Sequence, residues 1–365
     1  MVLMALDHAR DFVGDSARAP LDLAHTTVLL FFTRWITHFC APVFVLLAGV
    51  SAWVSARSRS ASEASRLLVT RGLWLVVLEL TVVRFGWLFN LNYRFSFVQV
   101  IWAIGWSMVA LAAISRAGPR FSLALGVAMI AGHNLLDRVH PDALGSMGWA
   151  WRIAHEGGPL TLAPGHRLYV AYPLVPWIGV MAAGYGLGPW MARSTAERRA
   201  MLLRVGAALT LAFLVVRAIN HYGDPDPWSA HSRAGFAALS FLNCEKYPPS
   251  LDYLLMTLGP ALLAWGLATG RDLTRARAII TFGRVPLFYY VLHLPLLHAL
   301  AGVWLVARGG ASAIRQAHDS PHGAGGSLLV VYGLWGVGVV ALYPLCRWFD
   351  GVKQRHRGAW WTHYT

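Results

Sequence analysis

Leu29-Leu-Phe-Phe-Thr-Arg-Trp-Ile-Thr-His-Phe-Cys-Ala-Pro-Val-Phe-Val-Leu-Leu-Ala-Gly-Val-Ser-Ala-Trp-Val-Ser-Ala56 carries one full charge, Arg34, in an otherwise apolar run. About 20 such residues in a helix cross the hydrocarbon core of a bilayer. Runs of the same kind recur outward from it: Leu67–Phe89, Phe97–Ser115, Phe121–Leu136, Leu168–Trp190, Ala200–His221, Leu251–Thr269, Ala278–Val306 and Ser327–Cys346. Turn residues such as Gly118-Pro119 and Pro225-Asp226-Pro227 separate them. Met1–Val13 supplies only part of a span, and the true first helix is expected to begin upstream of Met1. The reading is all-α: one polytopic transmembrane helix bundle of about ten helices, a single domain over residues 1–365.

Composition agrees. The chain is 56% hydrophobic and 13% charged, where soluble domains carry about 25% charged residues. Its 17 Trp, 16 Phe and 12 Tyr suit a protein anchored at lipid–water interfaces. A net charge of +14 would fit nucleic acid if it formed a continuous face. Here the basic residues sit in short clusters between apolar runs, which excludes that class. Cys40, Cys244 and Cys346 show no CxxC spacing and imply neither a disulfide framework nor a metal site. No small-residue cleavage site follows the first apolar stretch, so no signal peptide is read.

Arginine placement orients the chain. Alternate loops hold Arg57, Arg59, Arg66 and Arg71, then Arg116 and Arg120, then Arg193, Arg198, Arg199 and Arg204. The next hold Arg271, Arg275, Arg277 and Arg284, then Arg347, Lys353, Arg355 and Arg357. The opposite loops are longer and poorer in Arg and Lys. The rich side is therefore cytoplasmic, with the C-terminus, and the protein sits in the cell's inner (cytoplasmic) membrane. Of the 15 histidines only His356 and His363 then face the cytosol.

Ionisable groups inside spans are costly enough to examine singly. Asp7, His8, Arg10 and Asp11 crowd the outer end of the first helix, with His8 and Asp11 three apart and Asp7 and Asp11 four apart on one face. A carboxylate beside an imidazole fixes its tautomer, as a general base requires. Arg34 and His38 share a face of the second helix, and an ion pair from Arg34 to Asp7 or Asp11 would join the two helices. Glu79 and Arg84 read as a buried pair. His133-Asn134 caps a helix or meets water. Pro248-Pro249 forces an extended entry to the next span, with Ser250 as N-cap. Pro295 opens the helix near His293 and frees backbone carbonyls there, which suits either a cavity or a kinked packing helix. Walker A, HExxH and GxSxG patterns are absent.

Several stretches together resemble the relatives of heparan-α-glucosaminide N-acetyltransferase: Met1-Val-Leu-Met-Ala-Leu-Asp-His-Ala-Arg-Asp-Phe12, Phe31-Phe-Thr-Arg-Trp-Ile-Thr-His-Phe-Cys-Ala-Pro42, Tyr172-Pro-Leu-Val-Pro-Trp-Ile-Gly179, Lys246-Tyr-Pro-Pro-Ser250 and Phe282-Gly-Arg-Val-Pro-Leu-Phe-Tyr-Tyr-Val-Leu-His293. The resemblance covers nearly the whole chain and implies a transmembrane acyltransferase. Such a protein passes an acetyl group from cytosolic acetyl-CoA to an amino-sugar or hydroxyl acceptor on a glycan. An Arg-Gly that precedes the first-helix histidine in the wider set of membrane acyltransferases would fall before Met1.

On that resemblance His8 is the base, aided by Asp11 and Asp7, with His38 or His25 as alternative counterparts of the catalytic histidine. Arg284, with Arg34 and His293, would serve the donor, whose phosphates suit guanidinium groups. Direct transfer and an acetyl-histidine intermediate both stay open, as does a homo-oligomer. The competing reading is a multi-pass transporter or flippase of a polar or glycan substrate. That class is built on internal repeats, and none is visible by inspection.

Overall fold

The computed structural model describes residues 1–230, 233, 235–320, 323–356 and 358–364, apart from the side chains at 319 and 363. Arg357 and the His363 side chain, both placed in the cytosol by the sequence, lie outside the described residues. Among those described, helix dominates and the one sheet has three strands. Six helices are long and apolar enough to cross a membrane: Val28–Ala56, Val100–Ala117, Thr195–Ile219, Leu251–Ala268, Pro286–Gly309 and Leu328–Arg355. The protein is an all-α multi-pass membrane protein.

The remaining expected spans are shorter or interrupted, each for a visible reason. Leu67–Phe89 is helical over Ala61–Leu78, but its polar centre forms a π-segment at Glu79–Val83 before Arg84–Leu88. Phe121–Leu136 yields the helix Pro119–Gly132 and a 3-10 turn. At 1.5 Å per residue that helix reaches only about 21 Å. Leu168–Trp190 begins as a strand, His166–Val170, and turns helical only after Pro173, over Leu174–Leu187. Ala278–Val306 breaks at Val285 (φ −126°, ψ 52°), because Pro286 bars the residue before it from helical geometry.

Two compact units can be distinguished. The first comprises Met1–Cys40, Val82–Leu91 and Asp272–Thr365. In it the first helix, Val2–Val13, packs on Pro286–Gly309 and on Leu328–Arg355, and Arg84–Leu88 packs on Pro286–Gly309. Polar links hold the first helix at both ends. Trp335 Nε1 donates to Val2 O at 2.9 Å, and Gly326 N donates to Val13 O at 2.8 Å.

The second unit comprises Ala41–Thr81 and Asn92–Arg271. Its helices approach closely at glycines. A methyl group on Gly105 would lie 2.6 Å from Gly72 O, and one on Gly126 would lie 2.5 Å from Ala183 N and 2.6 Å from Gly179 O. Lipid gives apolar side chains no reason to leave it, so helix association here relies on close backbone packing at small residues. The sheet lies in the connecting segments: His166–Val170 runs parallel to Phe95–Val98 and antiparallel to Gly158–Ala163.

Buried polar groups in this unit knit the loops to the helices. Arg217 donates to the carbonyls of Asn243 (2.8 Å), Phe241 (3.1 Å), Asp226 (3.1 Å) and Ser240 (3.2 Å), with Asp224 and Asp252 at 3.6 and 3.7 Å. Ser250 caps its helix as expected, accepting from Tyr253 N at 3.0 Å and donating to Asp224 at 2.6 Å. His133 and Asn134 do more than cap. His133 Nε2 lies 2.8 Å from Pro249 O, and Asn134 Oδ1 accepts from Leu251 N at 2.9 Å. Glu79 accepts from Gln99 N at 2.8 Å, whereas Arg84 donates to Asn90 O and Oδ1 at 2.7 and 2.8 Å.

At the loop end of this unit Asp137 accepts from His155 (3.1 Å) and Asn134 (2.8 Å). Burial pushes the Asp137 carboxyl up, but the His155 and Asn134 hydrogen bonds and the nearby imidazole charges outweigh it and hold the group below the usual carboxylate range.

Two measurements check this packing. Gly126→Leu should cost about 1–3 kcal/mol by overpacking, seen as a lower Tm in detergent. Gly132→Leu should leave Tm unchanged, since a methyl there meets nothing within 4 Å. A folded-state carboxyl pKa below its unfolded value adds stability that is present above the unfolded pKa and lost as pH falls through the folded one. Protection from hydrogen exchange around residues 137–157, taken relative to the intrinsic rate at each pH, should therefore fall on acidification, and in Asp137→Asn it should already be low at neutral pH.

Candidate active site

The residues singled out near the chain start meet their partners within the first unit. The Val2–Val13 helix puts Asp7 and His8 on buried faces and leaves Asp11 exposed. Asp7 accepts from Arg34, as the helix-joining ion pair requires, and from Arg10 at 3.0 Å; Asp11 accepts from Arg10 at 2.6 Å. Two carboxylates and two guanidiniums thus form one nearly neutral cluster. Asp7 and Arg34 are the buried members, and removing either strands the other, at a cost of about 3–5 kcal/mol.

His8 has a partner that its own neighbourhood does not suggest. Its Nδ1 lies 2.6 Å from His293 Nε2, and the two rings stack with centroids 4.9 Å apart. Both are buried, His293 completely. The protons on this pair follow from its surroundings. His293 Nδ1 faces two carbonyl oxygens, Tyr290 O at 2.6 Å and Tyr289 O at 3.1 Å. A carbonyl can only accept, so His293 Nδ1 carries the hydrogen. A neutral imidazole has only one, which makes His293 Nε2 the acceptor and His8 Nδ1 the donor. The lone pair of His8 is therefore on Nε2.

That arrangement orients an imidazole as a general base needs. In more familiar sites a carboxylate holds the second nitrogen. Here a second imidazole does so, backed by the main-chain oxygens of Tyr289 and Tyr290. Aromatic rings complete the surroundings: Trp87 meets His8 edge-on at 4.9 Å, and Tyr289 stacks on His293 at 5.3 Å.

The other expected site residues are placed as follows. His38 is fully buried in the 3-10 segment Ile36–Phe39, one turn after Arg34. Arg34 is engaged by Asp7. Arg284 ends the helix Arg277–Arg284, is largely exposed, and lies 3.3 Å from Asp350. Its place near the start of Pro286–Gly309 puts it about 10 Å along the helix axis from His293. His25 is exposed and pairs with Asp22 at 2.7 Å, and this hydrogen bond, with one from Ala24 N, holds the Asp22 carboxyl below its ordinary value. His140 and His166 are exposed as well.

The class is that of multi-pass helical membrane proteins, and in this one the first unit buries a hydrogen-bonded imidazole pair. The chain belongs to the family described as heparan-alpha-glucosaminide N-acetyltransferase, catalytic, which residues 1–220 match, and it is thereby a membrane acyltransferase. The match takes in Asp7, His8, Asp11, Arg34 and His38, while Arg284 and His293 lie beyond it. Comparison with curated proteins and with solved structures gave no match.

Histidine side-chain ¹⁵N spectra test the assigned tautomers. His8 should show a pyrrole-type Nδ1 and a pyridine-type Nε2, and His293→Ala should let both His8 tautomers appear. A protonated Nε2 on His8 in the unaltered protein would rule out the relay as drawn.

Proposed function

We propose that this protein moves an acetyl group from cytosolic acetyl-CoA to an amino-sugar or hydroxyl acceptor at the outer face of the inner membrane, with His8 Nε2 as the base. The observation that carries this reading is the relay Tyr290 O–His293–His8. It leaves a basic nitrogen on a buried ring whose tautomer is already set, within a chain of acyltransferase family.

In the proposed reaction His8 Nε2 takes a proton from the acceptor's amine or hydroxyl as that atom bonds to the thioester carbonyl carbon. The carbon–sulfur bond then breaks, and His8 returns the proton to the CoA sulfur. If His8 itself attacks first, an acetyl-histidine forms and the acceptor displaces it; both routes use the same lone pair. His293 supports the positive charge that builds on His8 by accepting from its Nδ1. Asp7, Arg10, Asp11 and Arg34 act as positioning residues that keep the first helix in register with the second. At the cytosolic end Arg284 and the arginines preceding it are suited to the donor's phosphates, with the C-terminus on that same side.

The test is acetyl-CoA binding and turnover by the purified full chain in detergent, with a glucosamine-type acceptor. His8→Ala should keep saturable acetyl-CoA binding but lose about 10²–10⁴-fold in turnover, the usual worth of a positioned base. His293→Ala should lose turnover in the same direction through the disordered tautomer. Unchanged turnover in His8→Ala would move the base to His38 or His25. No binding of acetyl-CoA by the intact chain would defeat the transferase reading and favour transport.

A further inference from the structure

His298 lies five residues beyond His293 on the same helix, and neither the sequence motifs nor the relay uses it. Its ring is sandwiched between Phe89, at 4.0 Å and 17°, and Phe12, at 4.8 Å and 26°. Its Nδ1 lies 3.1 Å from Gly86 O. That carbonyl gets close because Gly86 has no side chain; a methyl there would sit 3.1 Å from Pro295 Cδ and 3.2 Å from Leu294 Cβ. By the argument used for His293, the carbonyl puts the hydrogen on Nδ1 and the lone pair on Nε2. Unlike His293, the ring is only part-buried.

The two helices step together. His8 pairs with His293, and one turn on, Phe12 pairs with His298. The rise per residue sets the two imidazoles roughly 6–8 Å apart along the axis. Trp87 bridges the interval, touching His8 at 4.9 Å and Phe12 at 5.0 Å. His298 is nearer the end of the helix that the arginine pattern places outside, the side from which an acceptor would arrive.

We propose that His298 is a second acid–base residue of this site, which removes the first proton from an ammonium-bearing acceptor before His8 acts. This rests on the acetyl-transfer reading above. An amine is mostly protonated at neutral pH and has no lone pair with which to attack. Two protons must therefore leave the nitrogen. The first passes to His298 Nε2 and gives the neutral amine, then leaves from the imidazolium to water at the outer face. The second passes to His8 as the carbon–nitrogen bond forms, and ends on the departing CoA sulfur. A hydroxyl acceptor has only one proton to lose and does not need His298.

Other ionisable groups on the elements packed against the His298 helix are Asp7, His8, Arg10 and Asp11 of the first helix, Arg84 of the short helix, Arg277 and Arg284 of Arg277–Arg284, Arg315 and His318 of Ser312–Asp319, and Tyr332, Tyr343, Cys346, Arg347, Asp350, Lys353 and Arg355 of Leu328–Arg355. On the His298 helix itself lie Tyr289, Tyr290, His293 and Arg308. Asp7, Arg10 and Asp11 are tied to one another and to Arg34, and Arg84 donates to Asn90.

The experiment compares the full chain with His298→Gln, whose amide can still donate to Gly86 O and preserve the packing. Acetyl transfer to glucosamine is followed from acidic to alkaline pH, with methyl glucoside as the hydroxyl acceptor. For glucosamine at pH about 6.5, kcat/KM should fall roughly 10–100-fold in the variant, within the range for a lost acid–base group. The loss should disappear at alkaline pH, where the amine is already neutral, and methyl glucoside should be unaffected throughout. Equal loss at all pH values and for both acceptors would reduce His298 to packing and overturn the proposal. So would an unchanged pH profile. Absence of transfer by the unaltered chain to either acceptor is the separate outcome that defeats the acetyl-transfer reading, and this inference with it.

Discussion

The hydrogen bond from His8 Nδ1 to His293 Nε2 joins residues 285 apart in sequence and decides the proton state of both rings. It depends in turn on the helix that carries His293. The carbonyls of Tyr289 and Tyr290, four and three residues before it, hold His293 Nδ1, which passes the constraint to His8. A contact within one helix is in this way converted into a defined basic nitrogen on a different helix.

The same economy of polar groups runs through each unit. In hydrocarbon an unmet charge or backbone group costs several kcal/mol, so such groups are collected into closed sets. Asp7, Arg10, Asp11 and Arg34 make one set in the first unit. Arg217 makes another in the second, with four carbonyls and two carboxylates around one guanidinium. These sets position helices and loops. The histidine pair differs in that its last nitrogen keeps an acceptor role, which suits it to proton transfer.

The family match and the site geometry carry different information. Residues 1–220 contain His8 and its charged neighbours, whereas the residues that orient its ring come from the helix after Pro286. The chemistry proposed here is therefore a property of the folded first unit rather than of one contiguous segment. The aromatic neighbours Trp87, Phe89 and Phe12 likewise come from separate parts of the chain.

Much of this protein was legible from its residues alone. Hydropathy and the placement of arginine identify a multi-pass helical protein, because span length and the cost of charge in lipid act locally along the chain. The Arg34 tie to the first helix was also within reach, since a guanidinium in an apolar run has few other ways to be satisfied. Interruptions such as the π-segment at Glu79 and the strand before Pro173 were less visible, as both depend on pairing with distant segments. The carboxylate three residues from His8 suggests Asp11 as its helper, and the fold adds His293 as a hydrogen-bond partner of the ring. His298 drew no notice at all, because a lone histidine on an apolar helix is common and its meaning comes from Gly86, Phe12 and Phe89. Sequence by itself determined which segments enter the membrane and which side chains would be costly there. Only the tertiary structure decided how those side chains meet, because hydrogen-bond partners are chosen by proximity in space, across separations that no spacing rule records.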